Sequence, residues 1–577
     1  MISEVVSLIN EYDKVFILVG LASYYYYNLI SDPTEDGLSE VNLEYLQSIA
    51  LATPNINAGK LPTGDVLKKI SELLDQIRHH FVGYFGVEKV TGKYAQAQGE
   101  LRYHMITETL FIRGEGYLVH VRELFREMFT PHDNFFIRHY GFTTQDIIDT
   151  FDKMEECFGC RMLLPNGRPH PVQTQKLQRW MHINKAKITK DYIETGEYLN
   201  DFVKTNPEVL VVNNGVTLYP LNQINTSDGL YMVRHFNDIQ KNVAKVLSMK
   251  FGDNTPFVHP DKFKYEILNK TEIQARPIVE DDKGNFYLFN MNLAARNYFL
   301  IAQTLIEKAD PNYYKNSFLG NRIQIAKDQF IERETLALFE KMLPEVSFYS
   351  GVYYRYTEPG LKMSCFNAQE GRYELDILGI SQNATYIIEV KAGLVSAEAK
   401  RGAIASIETD LSGIVGDAIC QSYRAYRYVA NDPTAEFQTS DGHFVQPVNR
   451  TNVFRISISF SYVGSLIASL SRLKEAGIFD EVADYAWTIN IFDLMAVAGI
   501  MEDEIMFIDY LSKRLKMYHD QRLVNVDEMD MLGLYLERDM KLDKAFRDAD
   551  TIQLHKFSGP ISDFFEGRAP LPKKKKT

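Results

Sequence analysis

Cysteine and tryptophan are scarce in this chain, with Cys 4 and Trp 2 among 577 residues. So few thiols in so long a chain cannot build a disulfide framework, which leads us to expect a reducing, cytoplasmic compartment. Positive charge is in deficit too. The 63 Lys+Arg against 76 Asp+Glu leave a net charge of −13. That excludes a protein that coats nucleic acid by bulk charge and leaves room only for a local basic groove. Long apolar runs are missing as well. The most apolar early run, residues 15–30, falls short of the about 20 apolar residues that a membrane span needs. Its four consecutive tyrosines, Tyr24 to Tyr27, suit a lipid-facing helix poorly. Glu4, Glu11 and Asp13 precede it, the wrong charge for a signal peptide. The run reads as a buried helix, and no membrane partner is expected. No internal repeat recurs at a fixed period.

What is present is ordinary globular material, rich in aromatics. Hydrophobic residues make up 45% and charged residues 24%, which fits neither a disordered nor a fibrous chain. At roughly 100–200 residues per domain, the length implies several folding units in a multidomain α/β protein.

Residues 1–204 read as a helical N-terminal region. Leu67, Ile70, Leu73, Leu74, Ile77, Phe81 and Phe85 share one broad helical face, and 117–129 and 144–157 continue that style. Residues 205–320 read as a mixed α/β middle module. Short β-branched or aromatic runs at 209–212, 215–219 and 229–235 come first. A hairpin follows, 274–279 and 285–289 around the turn 280–284, and then a helix at 293–308. From 326 the order becomes a helix (326–343), three strands (346–356, 372–380, 385–391), a helical stretch (397–428) and a strand (454–463). The third strand is so apolar that it belongs at the centre of a sheet. A C-terminal α/β extension, largely helical, fills 464–569 with a strand at 486–491. A basic tail, 570–577, closes the chain. Its Lys573–Lys576 block reads either as a nucleic-acid-seeking or nuclear-import signal or as a disordered solubilising end.

The chemistry concentrates in residues 372–392, RYELDILGISQNATYIIEVKA. Asp376 lies inside one strand, Glu389 ends the next, and Lys391 follows two positions later. Residues two apart on a strand share a face, so Glu389 and Lys391 project together. A distorted strand end lets the Val390 carbonyl turn the same way, and a hairpin brings Asp376 alongside. Two carboxylates and an ammonium on an otherwise apolar face are expensive unless compensated. A hard divalent cation compensates them, since Mg²⁺ favours one or two carboxylates with waters and phosphate oxygens. Such an ion acidifies a bound water and stabilises charge on a phosphate. The lysine can orient or deprotonate that water, or neutralise the developing charge.

This arrangement, Asp-x12-Glu-Val-Lys with a helix before and after, resembles the PD-(D/E)XK, or restriction-endonuclease-like, nuclease superfamily over about 326–463. The resemblance implies a restriction-endonuclease-like αβββαβ core and a Mg²⁺- or Mn²⁺-dependent nuclease, with DNA the expected substrate and endonuclease action expected over exonuclease. It implies metal binding by Asp376, Glu389 and the Val390 backbone carbonyl, and catalytic duty for Lys391. Family members often add an acidic residue on the first helix. Glu332 suits it, because Leu336, Phe339 and Leu343 continue its face. Many also carry a glutamine on the helix after the lysine strand, and Gln421 in CQSYRAYRY matches it. The residue before Asp376 is Leu375 rather than the family's namesake proline.

Phosphate contacts are expected from Lys400, Arg401, Arg424 and Arg427. Segments at 111–125, 131–143 and 527–537 resemble parts of large bacterial proteins, some of which end in a nuclease module. That style implies a restriction or anti-phage defence setting, with an activating partner or self-association controlling activity. The alternative is a nuclease-fold DNA-binding or scaffold protein, silent without an activating partner.

Two other signals carry less. Cys157-Phe158-Gly159-Cys160 lacks the second ligand pair that structural zinc needs. GVEKVTGK at 86–93 spaces its glycines wrongly for a phosphate-binding loop and has Tyr94 where a Mg²⁺-holding hydroxyl belongs.

Overall fold

The computed structural model describes residues 1–31, 38–87, 94–112, 116–159, 236–258, 264–321, 323–358, 363, 371–468, 470–480, 482–523, 526–542, 549–554, 556–575 and scattered positions in 179–233. The expected strands at 209–212, 215–219 and 229–235 and most of 86–93 lie largely or wholly outside these residues, as do Cys160 and the side chain of Cys157. The protein is a mixed α/β chain that divides into two compact units, each built from two segments. Met1–Phe81 joins Phe125–Pro311, and Val82–Leu124 joins Asn312–Thr577. No helix among the described residues is long and apolar enough to cross a membrane.

This division differs from the expected boundaries after 204 and 463, for reasons of packing. In the first unit, Phe125 and Phe151 lie 5.0 and 5.8 Å, ring to ring, from Tyr298 on helix Met291–Ala309. The early helices therefore bury their aromatic faces against the middle module and cannot stand apart from it. The expected hairpin is present: Ile278–Glu280 pairs antiparallel with Phe286–Tyr287, and Ser248–Lys250 adds a parallel third strand.

The second unit carries the sequence-predicted site. Its elements are α1 (Ala95–Thr107), α2 (Lys327–Met342), β1 (Ser347–Tyr356), β2 (Gly371–Ile380), β3 (Thr385–Lys391), α3 (Asp417–Asn431), β4 (Phe437–Gln438), β5 (Phe444–Val445), β6 (Val453–Ser459), β7 (Trp487–Asn490), α4 (Ile491–Ile500), α5 (Glu504–Met517) and α6 (Glu528–Arg538). The strands form one sheet in the order β5-β4-β1-β2-β3-β6-β7. The pairs β1/β2 and β2/β3 are antiparallel, while β6 runs parallel to both β3 and β7. β3, with its run of Tyr, Ile and Val, is buried along its first six residues and flanked on both sides. Strand β7 continues the same sheet, so the stretch after 463 is no separate extension. Its indole, the Trp487 ring, is fully buried.

Helix α3 covers one face of the sheet. Ala425, Tyr428 and Val429 pack there on Val352, Tyr354, Leu375, Leu378 and Ile387. On the other side Phe507 of α5 lies 6.0 Å from Tyr386, and Phe339 of α2 lies 5.9 Å from Phe348. The expected helical stretch at 397–428 is present as several pieces. Ala397–Lys400 and Ile404–Leu411 come first, then a π-helical turn, Ser412–Gly416, which resets the phase before α3. Leu101 and Met105 of α1 pack into one cluster with Ile407, Leu411 and Ile414, which is why 82–124 belongs to this unit.

The basic tail is not a loose end along its described length. Lys574 bonds Asp509 and Asp539, each at 2.7 Å, and sits 4.1 Å over the Tyr535 ring. The Lys575 amide donates to the Leu536 carbonyl at 2.8 Å. Cys420 is disulfide-bonded.

Candidate active site

The tight connection Ser381–Ala384 sets the register on which the site depends. Its first hydroxyl accepts from the amides of Asn383 and Ala384 at 3.1 and 3.0 Å, a side-chain-mediated turn. From there β2 and β3 pair Ile380↔Thr385 through Ile377↔Ile388, and the ladder stops. The next opposed residues are Asp376 and Glu389. Instead of a β2 carbonyl, the Asp376 carboxylate takes the next inward amide of β3: the Val390 N–H donates to Asp376 Oδ2 at 2.7 Å. On the other flank, β1 pairs with β2 at Ser350↔Ile377 and Val352↔Leu375, with Gly351 between them at φ 58°. That left-handed conformation suits glycine and interrupts β1 opposite Asp376. The sheet thus loosens on both sides of Asp376, and a carboxylate occupies the gap.

Glu389 is 2% exposed and its Oε1 has no hydrogen-bond partner among the described residues. Burial pushes its carboxyl well above the usual range, and Asp376 pushes the same way, opposed by Lys391 and Arg424. Lys391 Nζ lies 3.6 Å from Glu389 Oε2 and donates to Gln421 Oε1 at 2.7 Å. Burial is the largest influence on Lys391 and pulls its pKa down. Glu389, Asp376 and Asp417 together outweigh it, so the ammonium is held above its ordinary value. Glu332, on α2, accepts from Gln329 at 3.0 Å. Burial raises its carboxyl to about 7, and Asp376, Glu374 and Asp328 add to the shift.

Asp376, Glu389, the Val390 backbone, Lys391 and Gln421 come together, with Glu332 close enough to feel Asp376. Among the described residues no three carboxylate, imidazole or thiolate groups converge as a ready metal cage. The donor set is two carboxylates and a backbone carbonyl. In extended backbone the N–H and C=O of one residue point to the same side, so the Val390 carbonyl faces the Asp376 gap. That set fits Mg²⁺ or Mn²⁺, which retain waters and need few protein ligands. The unpartnered, buried Glu389 oxygen is the observation that fits a cation.

The expected phosphate contacts fare differently. Arg424 is 6% exposed, donates to the Tyr354 hydroxyl at 2.9 Å and lies 3.7 Å over the Tyr373 ring. It is a buried cation that tempers Glu389. Arg427 is ion-paired with Glu358 and Arg401 with Glu398, and Lys400 is exposed. Helical spacing alone could not say which side of α3 these arginines take.

Sequence reading also missed Ser457. It lies in register with Glu389 on β6, fully buried, and its hydroxyl has no hydrogen-bond partner. Ser459 stands beside Lys391, and Thr488 and Asn490 extend both rows onto β7. The signal was there: serine at alternate positions of an otherwise apolar strand, FRISISF, marks one polar face.

Comparisons with protein-family models, with curated proteins and with solved structures found no match.

Proposed function

We propose that the protein is a metal-dependent nuclease that hydrolyses phosphodiester bonds, with DNA as substrate. The observation that carries this reading is Glu389, a buried carboxylate with an unpartnered oxygen, between Asp376 and Lys391 at a gap in the sheet. The element order supports a restriction-endonuclease-like core: α2, three antiparallel strands β1–β3, α3, then β6 parallel to β3.

Asp376, Glu389 and the Val390 carbonyl would hold Mg²⁺ or Mn²⁺, and Glu332 stands near as a further carboxylate. The ion, when bound, supplies a more acidic water and charge stabilisation at phosphate. Water oxygen adds to phosphorus as one P–O ester bond breaks, leaving a phosphomonoester and an alcohol. Lys391, steered by Gln421 and Glu389, offers a positive charge to the negative charge developing on the phosphate oxygens. Ser457 and Arg424 set the polarity around Glu389 from behind.

The test is cleavage of linear, supercoiled and single-stranded DNA with Mg²⁺, Mn²⁺ or EDTA, alongside Asp376→Ala and Lys391→Ala. The wild type should cut only with metal. Asp376→Ala should lose metal binding and cutting, and Lys391→Ala should lose cutting while binding metal. Absence of metal binding in the folded wild type overturns the reading. Metal binding without cutting on any substrate favours a chain kept silent until a partner arrives.

A further inference from the structure

With Arg424 and Arg427 engaged elsewhere, other cations must face a substrate if a chain of net charge −13 is to hold one. Arg355 on β1 and Arg372 on β2 are directly opposed in register, and both are exposed. Opposed side chains of an antiparallel pair leave the same face, and like charges there repel. Neither guanidinium has an ion-pair partner among the described residues. Arg372 lies 3.9 Å over the Tyr353 ring, a cation–π contact that uses the face of the guanidinium rather than its N–H groups.

Strand alternation ties this pair to the carboxylates. Arg372, Glu374 and Asp376 alternate with the buried Tyr373 and Leu375, so they form an open strip on β2. Four residues at about 3.3 Å each put Arg372 roughly 13 Å from Asp376. A nucleic-acid strand advances about 3.4 Å per nucleotide, so the arginines stand some four nucleotides from the candidate centre. Glu374 lies between as the opposing charge on the strip.

We infer that Arg355 and Arg372 form a clamp for the phosphodiester backbone of the strand that reaches Asp376. An anion between two like-charged guanidinium groups, neither of them ion-paired among the described residues, relieves the repulsion. The contact reads backbone charge and not base sequence. Only the role of the strip's far end rests on the nuclease reading.

The experiment measures binding of the full chain to labelled duplex DNA, single-stranded DNA and RNA by anisotropy, in EDTA, over a range of salt. Arg355→Gln/Arg372→Gln is compared with wild type and with Lys264→Gln/Lys283→Gln, two exposed lysines of the other unit. The arginine double variant should flatten the log–log salt slope by about 1.8 on duplex or about 1.4 on single strands, and weaken low-salt binding roughly tenfold, whatever the sequence. The lysine variant should match wild type. An unchanged slope in the arginine variant, an equal loss in the lysine variant, or no binding of wild type to any of the three overturns the clamp. Because no metal is present, the clamp can stand while the cleavage assay fails. The reverse outcome removes the clamp alone.

Discussion

Replacing Glu389 by glutamine should stabilise the fold and destroy the activity. The native carboxylate is 2% exposed, has one oxygen without a partner, and faces the Asp376 carboxylate. A buried polar group left unsatisfied costs about 1–3 kcal/mol. Glutamine removes the ionisable carboxyl, keeps the shape and offers Asp376 an N–H donor at every pH. Metal-free, Glu389→Gln should therefore gain about 1–3 kcal/mol. With an unfolding entropy of about 2.1 cal/mol/K per residue, a unit of roughly 300 residues shifts by about 2–5 °C for that gain. Calorimetry in EDTA and in saturating Mg²⁺ is the assay. Metal at 100 times its dissociation constant adds about 2.7 kcal/mol to the wild type alone, so magnesium should close or reverse the gap. A Glu389→Gln protein less stable than wild type in EDTA, or one stabilised equally by Mg²⁺, refutes the reasoning.

Three further outcomes follow from the same geometry. The Glu332 carboxyl titrates near 7 when folded, so the folded state holds its proton to higher pH than the unfolded chain does. Stability from this group is full below the unfolded value of about 4.3 and is lost as pH rises towards 7. Glu332→Gln should therefore match wild type at pH 4 and exceed it at pH 7 in EDTA, read by denaturant titration. Arg514, 0% exposed, is bonded to Glu528 at 2.9 Å, and Glu528 also accepts from Trp487 at 2.8 Å. Arg514→Met strands that carboxylate and should cost about 3–5 kcal/mol in the same titration, and adding Glu528→Gln should recover much of it. Lys574→Ala should cost no more than about 1 kcal/mol, because its two ion pairs are partly solvated, and should leave DNA binding unchanged by anisotropy.

The parts of the fold that sequence made legible are those governed by local pattern. The ranges of β3 and α2 follow from residue type and periodicity. The apolar positions around Glu332 define which way its helix face turns, and the Lys391–Gln421 hydrogen bond joins two residues that the motif spacing singles out. What escaped was set by partners distant in the chain. Arg424 looks like a surface cation until the rings of Tyr354 and Tyr373 close over it. Nothing near Trp487 says that its strand pairs with β6 rather than beginning a new domain. The arginines opposed at 355 and 372 become a pair only once the register of β1 and β2 is known.

Each unit is closed by segments made far apart in time. Helix α1 packs on Ile407 and Leu411, which leave the ribosome roughly 300 residues later, or about 15–60 s at ordinary translation rates. Until then Leu101 and Met105 lack much of their native cover. A fragment cut at the edges of the motif-bearing region, 326–463, leaves α1 and β7 behind, exposing the surfaces they bury. The core of this unit therefore closes only when segments from both sides of the first unit's second stretch are present together.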